Sequence, residues 1–186
     1  TETVYGIAAS TMNKETQERL FKIKQRPADK PFAVLVESKI RIEEFSGFIP
    51  IAAYKLVDKF WPGPLTVVLK YKNNGTIGLR MPDHDIALKI VDLARVPLAC
   101  PSANLSGKSP PRTVKEALAD LDGLVDVAVD AGECVVGVES TVVDLSTKEL
   151  KILREGAIKK EQIEQVASKK TVLFICTGNS CRSVMA

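Results

Sequence analysis

The chain has 186 residues, of which 45% are hydrophobic and 26% are charged. These values are typical of a globular protein with one large domain, or with one domain and part of another. The net charge of +3 is too small to imply a polyanionic partner by itself, and no apolar run is long enough to predict a membrane span.

Helix and strand patterns alternate along the first half of the chain. Residues 13–25 have helical spacing, with Asn13 as the candidate N-cap and Pro27 as the stop. A continuous apolar run at 32–36 predicts a buried strand. The other predicted elements of this half are helices at 39–48 and 51–60 and a hairpin of strands at 65–69 and 77–81.

The second half continues this mixture. A capping-box pattern at 113–116 predicts a helix start after a Pro/Ser/Gly-rich loop at 101–112. The other predicted elements are a helix at 85–94, strands at 96–100, 124–129, 141–145 and 150–153, and a helix at 159–167. This irregular order favours an α/β fold in which helices pack on a twisted mixed sheet, and not a regular doubly wound sheet.

The four cysteines lie at positions 100, 134, 176 and 181. They do not form the close pairs of a zinc site, so no metal site is predicted from them. Cys100 and Cys134 lie in apolar sequence and are expected to be buried thiols. Free thiols favour a reducing, cytoplasmic compartment.

Two polar stretches could bind an anion. One carries Lys24 and Arg26 beside two prolines; its cations suit a polyphosphate, or they only interact with the end of a helix. The other, residues 101–107, places Ser102 and Asn104 directly after a predicted strand. It is either a backbone-rich anion site or a turn that uses Asn and Gly.

A third stretch brings Ser140 and Arg154 to the ends of two predicted strands, where they face one ligand or only terminate the strands. Arg80 adds a further cation. His84, the only histidine, is expected to cap a helix or lie at the surface, because no second histidine supports a metal site or a catalytic triad. No P-loop or dinucleotide fingerprint occurs, so dispersed side chains would have to hold any nucleotide.

Seven motifs in this order resemble the YrdC/Sua5 family over residues 1–157. They are Thr1-Glu-Thr-Val-Tyr-Gly6, Lys24-Gln-Arg26-Pro, Trp61-Pro-Gly-Pro-Leu-Thr66, Arg80-Met-Pro-Asp-His84, Pro101-Ser-Ala-Asn-Leu-Ser-Gly107, Glu139-Ser-Thr-Val-Val-Asp144 and Leu153-Arg-Glu-Gly156. The resemblance implies synthesis of threonylcarbamoyl-AMP and pyrophosphate from L-threonine, bicarbonate or CO₂, and ATP, for the t6A modification of tRNA. It also implies double-stranded RNA binding.

The resemblance also implies roles for individual residues. In its terms Lys24 and Arg26 hold the ATP phosphates, together with the polar loop at Ser102 and Asn104. It places Arg154 at the nucleotide and assigns the threonine end to the group Thr3, Arg80 and Ser140. Mg²⁺ is implied as the cofactor that accompanies ATP, and the t6A-transfer machinery and tRNA are implied as indirect partners.

The C-terminal segment resembles the start of a different family. Residues 176–183 read Cys-Thr-Gly-Asn-Ser-Cys-Arg-Ser after the apolar run 171–175, as in a low-molecular-weight protein-tyrosine phosphatase. The resemblance implies Cys176 as nucleophile and Arg182 as phosphate ligand, with Asn179 and Ser183 supporting the loop. Only the first strand and loop of this second α/β domain are present, so no phosphatase activity is expected.

The expected organisation is a synthase domain at 1–157 that lacks its beginning, a helix and linker at 158–170, and the phosphatase-like start at 171–186. We expect such a piece to be weakly active or inactive. Two alternatives stay open: a carbamoyl-adenylate module of the hydrogenase-maturation type, and a non-catalytic RNA-binding module. The low aromatic content of 5% disfavours the second.

Overall fold

The computed structural model describes residues 1–25 and 32–169. Within these residues, seven strands form one sheet. They are β1 (Ala9–Ser10), β2 (Val34–Leu35), β3 (Leu65–Lys70), β4 (Thr76–Arg80), β5 (Leu98–Ala99), β6 (Thr141–Asp144) and β7 (Lys151–Arg154). Their order across the sheet is β1-β5-β2-β4-β3-β6-β7.

The sheet is mixed. β2 and β4 pair in parallel, as do β3 and β6, and the other neighbours are antiparallel. The predicted α/β class with a mixed sheet is therefore confirmed. The predicted hairpin is also confirmed, because β3 and β4 pair antiparallel with Val67 opposite Leu79.

The described residues form six α-helices and one 3₁₀ turn, Lys39–Arg41. The helices are α1 (Lys14–Lys24), α2 (Ile42–Phe45), α3 (Ile51–Phe60), α4 (Asp85–Ala94), α5 (Val114–Leu121) and α6 (Lys160–Ser168). Asn13 caps α1 as predicted, because its Oδ1 accepts a hydrogen bond from the Thr16 amide at 2.9 Å. The Nδ1 of His84 accepts from the Ala87 amide at 3.4 Å, so His84 is the expected helix cap.

The two faces of the central strands carry different residues. Leu65, Val67 and Leu79 lie on one face and have no exposed surface, because α3 and α6 cover them. The alternate residues Thr66 and Gly78 lie on the other face, where a Cβ added at Gly78 would only touch Ala33 and Thr66. The face that carries Leu65, Val67 and Leu79 thus packs against helices, and the central strands carry the smaller residues Thr66 and Gly78 on the opposite face.

Two predicted elements differ most from the structure. No strand forms at 124–129: Arg19 donates to the Leu124 carbonyl at 2.8 Å and pairs with Asp126 at 2.9 Å, so side-chain contacts fix this segment in place of a strand ladder. Val127 is 78% exposed. The predicted helix at 39–48 shortens to a 3₁₀ turn and the single turn of α2.

Smaller differences concern strand lengths and caps. The strands predicted at 32–36 and 96–100 each shorten to two residues, and β1 was not predicted because Ala-Ser carries no strand signal. Only half of the predicted capping box forms. The Thr113 hydroxyl accepts from the Glu116 amide, but the Glu116 carboxylate accepts from the Arg112 amide at 2.7 Å and not from the Thr113 amide.

The remaining sequence predictions concern burial and the chain ends. Cys134 is buried and Cys100 is half-buried, and burial is the main cause that raises the pKa of both thiols. None of the helices in 1–25 and 32–169 is long and apolar enough to cross a bilayer. Arg26 and the phosphatase-like stretch with Cys176, Asn179, Arg182 and Ser183 lie outside the described residues.

The position of Leu79 predicts its contribution to stability. Leu79→Ala should lower the free energy of unfolding by about 2–5 kcal/mol, because it leaves a cavity between the sheet and its helices. The control is Leu153→Ala, at a residue that is 59% exposed. This substitution should change the free energy of unfolding by less than about 0.5 kcal/mol. Urea unfolding measures both, and equal losses would contradict this account of the core.

Candidate active site

The first seven residues form a segment with a bend at Thr3 and Val4 that contacts several loops. The Ile7 amide donates to the Pro101 carbonyl at 2.9 Å, and the Ala103 amide donates to the Tyr5 carbonyl at 2.8 Å. A Cβ at Gly6 would lie only 2.6 Å from the sulfur of Cys100, so glycine is required for this close approach. The segment is thereby fixed against the loop that follows β5.

Lys24 ends α1 and is only 5% exposed. Its ammonium donates to the Ser102 carbonyl at 2.7 Å, to the Asn104 carbonyl at 2.5 Å and to Asn104 Oδ1 at 3.2 Å. A buried ammonium needs such acceptors, since an unpaired buried charge is very costly. Three predicted nucleotide residues therefore meet in space, and we call Lys24, Ser102 and Asn104 the Lys24 cluster.

Further bonds fix the same loop from its other side. The Asn104 amide group donates to the carbonyls of Leu105 at 3.0 Å and Lys108 at 2.6 Å. Asp120 on α5 pairs with the Lys108 ammonium and accepts from the Leu105 amide. The hydrogen bond from Lys108 is the main cause that lowers the pKa of Asp120. The loop is thus attached to both α1 and α5.

Arg80 ends β4 and forms a buried ion pair with Glu2. The Arg80 Nη2 lies 2.7 Å from Glu2 Oε1, and both residues are less than a tenth exposed. Arg80 Nε also donates to the Gly63 carbonyl at 3.3 Å. We call this the Arg80–Glu2 pair. It attaches the N-terminal segment to the central strand of the sheet.

Thr3, predicted at the threonine end, is fully buried. Its hydroxyl lies 3.0 Å from the Thr1 hydroxyl, which donates to the Val4 carbonyl at 2.8 Å. These bonds stabilise the bend of the segment next to Glu2. The structure therefore places Thr3 within the frame of the site.

Ser140 and Arg154 lie in contact, where β6 begins and β7 ends. Arg154 donates to the Ser140 carbonyl at 3.1 Å and to its hydroxyl at 3.3 Å. The Ser140 hydroxyl lies 2.9 Å from that of Thr66. Arg154 also pairs with Glu139 at 2.5 Å. We call these two residues the Ser140–Arg154 pair.

Gly156 makes the turn after Arg154 possible. A Cβ there would lie 2.2 Å from the Glu139 carbonyl oxygen, so no other residue fits without movement of the backbone. The Thr141 hydroxyl accepts from the Gly156 amide at 2.9 Å and donates to the Ile158 carbonyl at 2.6 Å. This turn returns the chain to β6 and fixes the position of Arg154.

The strand register relates the three groups to one another. Leu65 pairs with Thr141, and Leu35 pairs with both Arg80 and Leu98. The Arg80–Glu2 and Ser140–Arg154 pairs therefore lie at the same end of β3, β4 and β6. The chain leaves β5 in the other direction: Ala99 is level with Leu79, so the loop of the Lys24 cluster begins two residues before the level of Arg80, about 7 Å back along β4.

A cavity of about 620 Å³ lies beside this region, between α4, α5 and the segment 124–135. Its lining includes Glu2 and Cys100 but is mainly apolar. Of the predicted cationic site residues that the structure describes, Lys24, Arg80 and Arg154, it contains none. Within the described ranges, no group of three His, Cys, Asp or Glu side chains could hold a metal ion. The cavity therefore adjoins the Arg80–Glu2 pair through Glu2.

Sequence reasoning missed two contributors. Glu2 lies inside the first motif, but nothing in the sequence indicates that it pairs with a residue 78 positions away. Thr66 was noted only as part of a motif, although its hydroxyl contacts Ser140. Side chains alternate along the strand after Pro64, so Thr66 lies on the face opposite Leu65 and Val67. This pattern could have identified Thr66 as a site residue.

Comparison with known proteins identifies the family. The model of the Sua5/YciO/YrdC family, described as telomere recombination, matches residues 1–156. The chain belongs to this family. The threonylcarbamoyl-AMP synthase of Pyrococcus abyssi is 41% identical over 195 residues, which cover 100% of this chain and 57% of that protein. The threonylcarbamoyl-AMP synthase of Bacillus subtilis is 39% identical, and the match covers 89% of this chain and 51% of that protein.

Solved structures of the Sua5/YciO/YrdC family have the same fold. The structure of P. abyssi Sua5 complexed with L-threonine superposes with a TM-score of 0.84 at 40% identity, covering 89% of this chain and 52% of that one. Escherichia coli YciO, at 24% identity and a TM-score of 0.75, supports the fold alone. The chain spans about half the length of the first two curated relatives.

The contacts of Lys24 predict a stability cost that a surface lysine lacks. Lys24→Met should lower the free energy of unfolding by about 1–3 kcal/mol, because it leaves buried oxygens of Ser102 and Asn104 without a donor. The matched control is Lys22→Met, which changes the same residue type two positions away, on the exposed side of α1. It should have little effect on the free energy of unfolding. Thermal or urea unfolding measures both; equal stability of the two variants would contradict the assignment.

Proposed function

We propose that this protein makes threonylcarbamoyl-AMP and pyrophosphate from L-threonine, bicarbonate or CO₂, and ATP. The main support is that residues of its family motifs meet in three polar groups. Two of these groups contact the first seven residues, and the third lies at the same end of β3, β4 and β6 as Arg80. The 41% identity to the P. abyssi threonylcarbamoyl-AMP synthase adds to this. On this proposal the product serves the t6A modification of tRNA in the cytoplasm, with the transfer machinery and tRNA as indirect partners.

The proposed reaction has two steps. The amine of threonine combines with CO₂ to give a carbamate and a proton. A carbamate oxygen then attacks the α-phosphorus of ATP, the bond to the bridging oxygen breaks, and pyrophosphate leaves. Such a transfer requires alignment and charge neutralisation more than a covalent nucleophile. Fixed cations and small polar groups are suited to that task.

The Lys24 cluster is proposed to bind the triphosphate. Because the Lys24 ammonium already binds loop oxygens, its proposed role is to fix Ser102 and Asn104 and to make the local potential positive. Arg26, which lies outside the described residues, is proposed to contact the phosphates directly. Mg²⁺ would then enter with ATP, because it binds phosphate oxygens and water readily and needs few protein ligands.

The threonine end is proposed to lie at Arg80 and Ser140. Arg80 offers a guanidinium with N–H groups beyond those that bind Gly63 and Glu2, and such a group suits a carboxylate. Thr3 is proposed to act by holding the segment, since its hydroxyl is buried. Arg154 would close the site, because it already bridges Ser140 and Glu139.

Pyrophosphate release from ATP, measured with and without threonine and bicarbonate, tests the proposal. The chain and the whole protein encoded by its reading frame are assayed in parallel, and mass spectrometry identifies the nucleotide product. We expect release that requires threonine and yields threonylcarbamoyl-AMP. Release that requires carbamoyl phosphate would favour the hydrogenase-maturation type. RNA binding without turnover by either protein would favour the binding module.

Arg154 offers a sharper test of the proposed nucleotide site. Arg154→Met should lower kcat/KM for ATP on the order of 100-fold, because a fixed cation near the transferring phosphoryl group is lost. Lys151→Met, on the same strand, removes an exposed cation outside the three groups and is the control. If both variants keep wild-type turnover, Arg154 has no part in catalysis. The phosphatase-like role of Cys176 and Arg182 stays a prediction.

A further inference from the structure

Glu2 is a buried carboxylate of which only one oxygen is paired. Its Oε1 accepts from Arg80 at 2.7 Å, but its Oε2 is buried and forms no hydrogen bond with any described residue. A carboxylate can accept about four hydrogen bonds, and an unmet acceptor in a buried site costs free energy. Buried polar atoms without a partner are few in native proteins, so each calls for a physical reason.

The surrounding contacts fix Glu2 in this position. The Glu2 carbonyl accepts from the Val136 amide at 2.8 Å, and the next residue, Thr3, is fully buried. Arg80 is fixed as well, because its Nε binds the Gly63 carbonyl and its own carbonyl accepts from the Val36 amide at 2.9 Å. The backbone of both residues and the guanidinium of Arg80 are therefore held in place around Oε2.

The two charges of the pair match an amino acid. Arg80 and Glu2 together have zero net charge, and each keeps unused hydrogen-bonding capacity: N–H groups on Arg80 and Oε2 on Glu2. A zwitterionic α-amino acid has the complementary arrangement, with a carboxylate next to an ammonium. An ammonium forms a charge-assisted hydrogen bond with Oε2, which is stronger than the bond that a neutral hydroxyl would form.

We propose that Glu2 is a specificity-determining residue, whose Oε2 binds the ammonium of the amino acid substrate while Arg80 binds its carboxylate. This inference rests on the proposed function, which places threonine near Arg80, and it adds the group that selects an α-amine. Glu2 also keeps Arg80 in position through Oε1.

Calorimetric titration of the full chain with L-threonine, without ATP or bicarbonate, tests the inference. Glu2→Gln keeps the shape and removes the charge, and it should weaken threonine binding about tenfold or more. The control is Glu44→Gln. Glu44 also pairs with an arginine, Arg41, but it lies on α2, which packs on the other face of the sheet. This substitution should leave the affinity unchanged.

Two further ligands identify the group that Oε2 binds. L-Valine keeps the amine but lacks the hydroxyl of threonine. Glu2→Gln should therefore lower the affinities for valine and threonine by the same factor. The α-hydroxy analogue 2,3-dihydroxybutyrate lacks the amine, so the same substitution should hardly affect it. If the substitution weakens threonine but not valine, Oε2 binds the hydroxyl and the inference is wrong.

A measurement on the wild-type protein covers the case in which Glu2→Gln does not fold. The ¹³Cδ resonance of Glu2 should shift when threonine or valine is added, and an unmoved resonance would overturn the inference. Unchanged threonine affinity in a folded Glu2→Gln variant, or no threonine binding to wild type, would overturn it too. Threonine binding with no pyrophosphate release by either the chain or the whole protein would overturn only the proposed function.

Discussion

The contact between the Lys24 ammonium and the loop after β5 is the interaction on which the rest of the site depends. Three oxygens of Ser102 and Asn104 surround a cation that is almost fully buried. A charge in that position is tolerated only while those oxygens stay in place, so α1 and the loop must remain together. The first seven residues then pair with the same loop, and through Glu2 they reach Arg80.

The site uses strand ends and close backbone contacts more than a deep polar pocket. Arg80 and Arg154 are the last residues of their strands, and Ser140 directly precedes another. Gly6 and Gly156 allow backbone approaches that a side chain would prevent. Since strands of a sheet have fixed register, these residues hold their relative positions without any contribution from a ligand.

Local signals explain what the sequence predicted well. The bounds of α4 and the caps at Asn13 and His84 depend on neighbouring residues, and the hairpin of β3 and β4 has a turn with Asn and Gly. The segment 124–129 was predicted as a strand from its apolar pattern. That prediction was wrong because strand formation requires a pairing edge, which a single sequence does not specify. Side chains of Arg19 and Tyr5 hold this region instead.

The candidate site shows the same division. The family resemblance predicts that Lys24, Ser102 and Asn104 belong to one group, and the structure places them in contact. The pairing of Glu2 with Arg80 could not be predicted, because it joins residues 78 positions apart through the fold. Neither residue carries a local pattern that distinguishes a buried ion pair from two surface charges.

The central claim is that the Lys24 cluster and Arg154 bind one nucleotide. A ¹⁵N NMR titration with Mg²⁺·ATP tests it most directly, by following the side-chain amide of Asn104 and the Nε–H of Arg154. The indole of Trp61, the only tryptophan, is the internal reference, because it is buried and bonded to the Leu65 carbonyl. The account predicts that the Asn104 and Arg154 signals shift with one common affinity while Trp61 stays unchanged. Shifts at only one of them, or at neither, would contradict it.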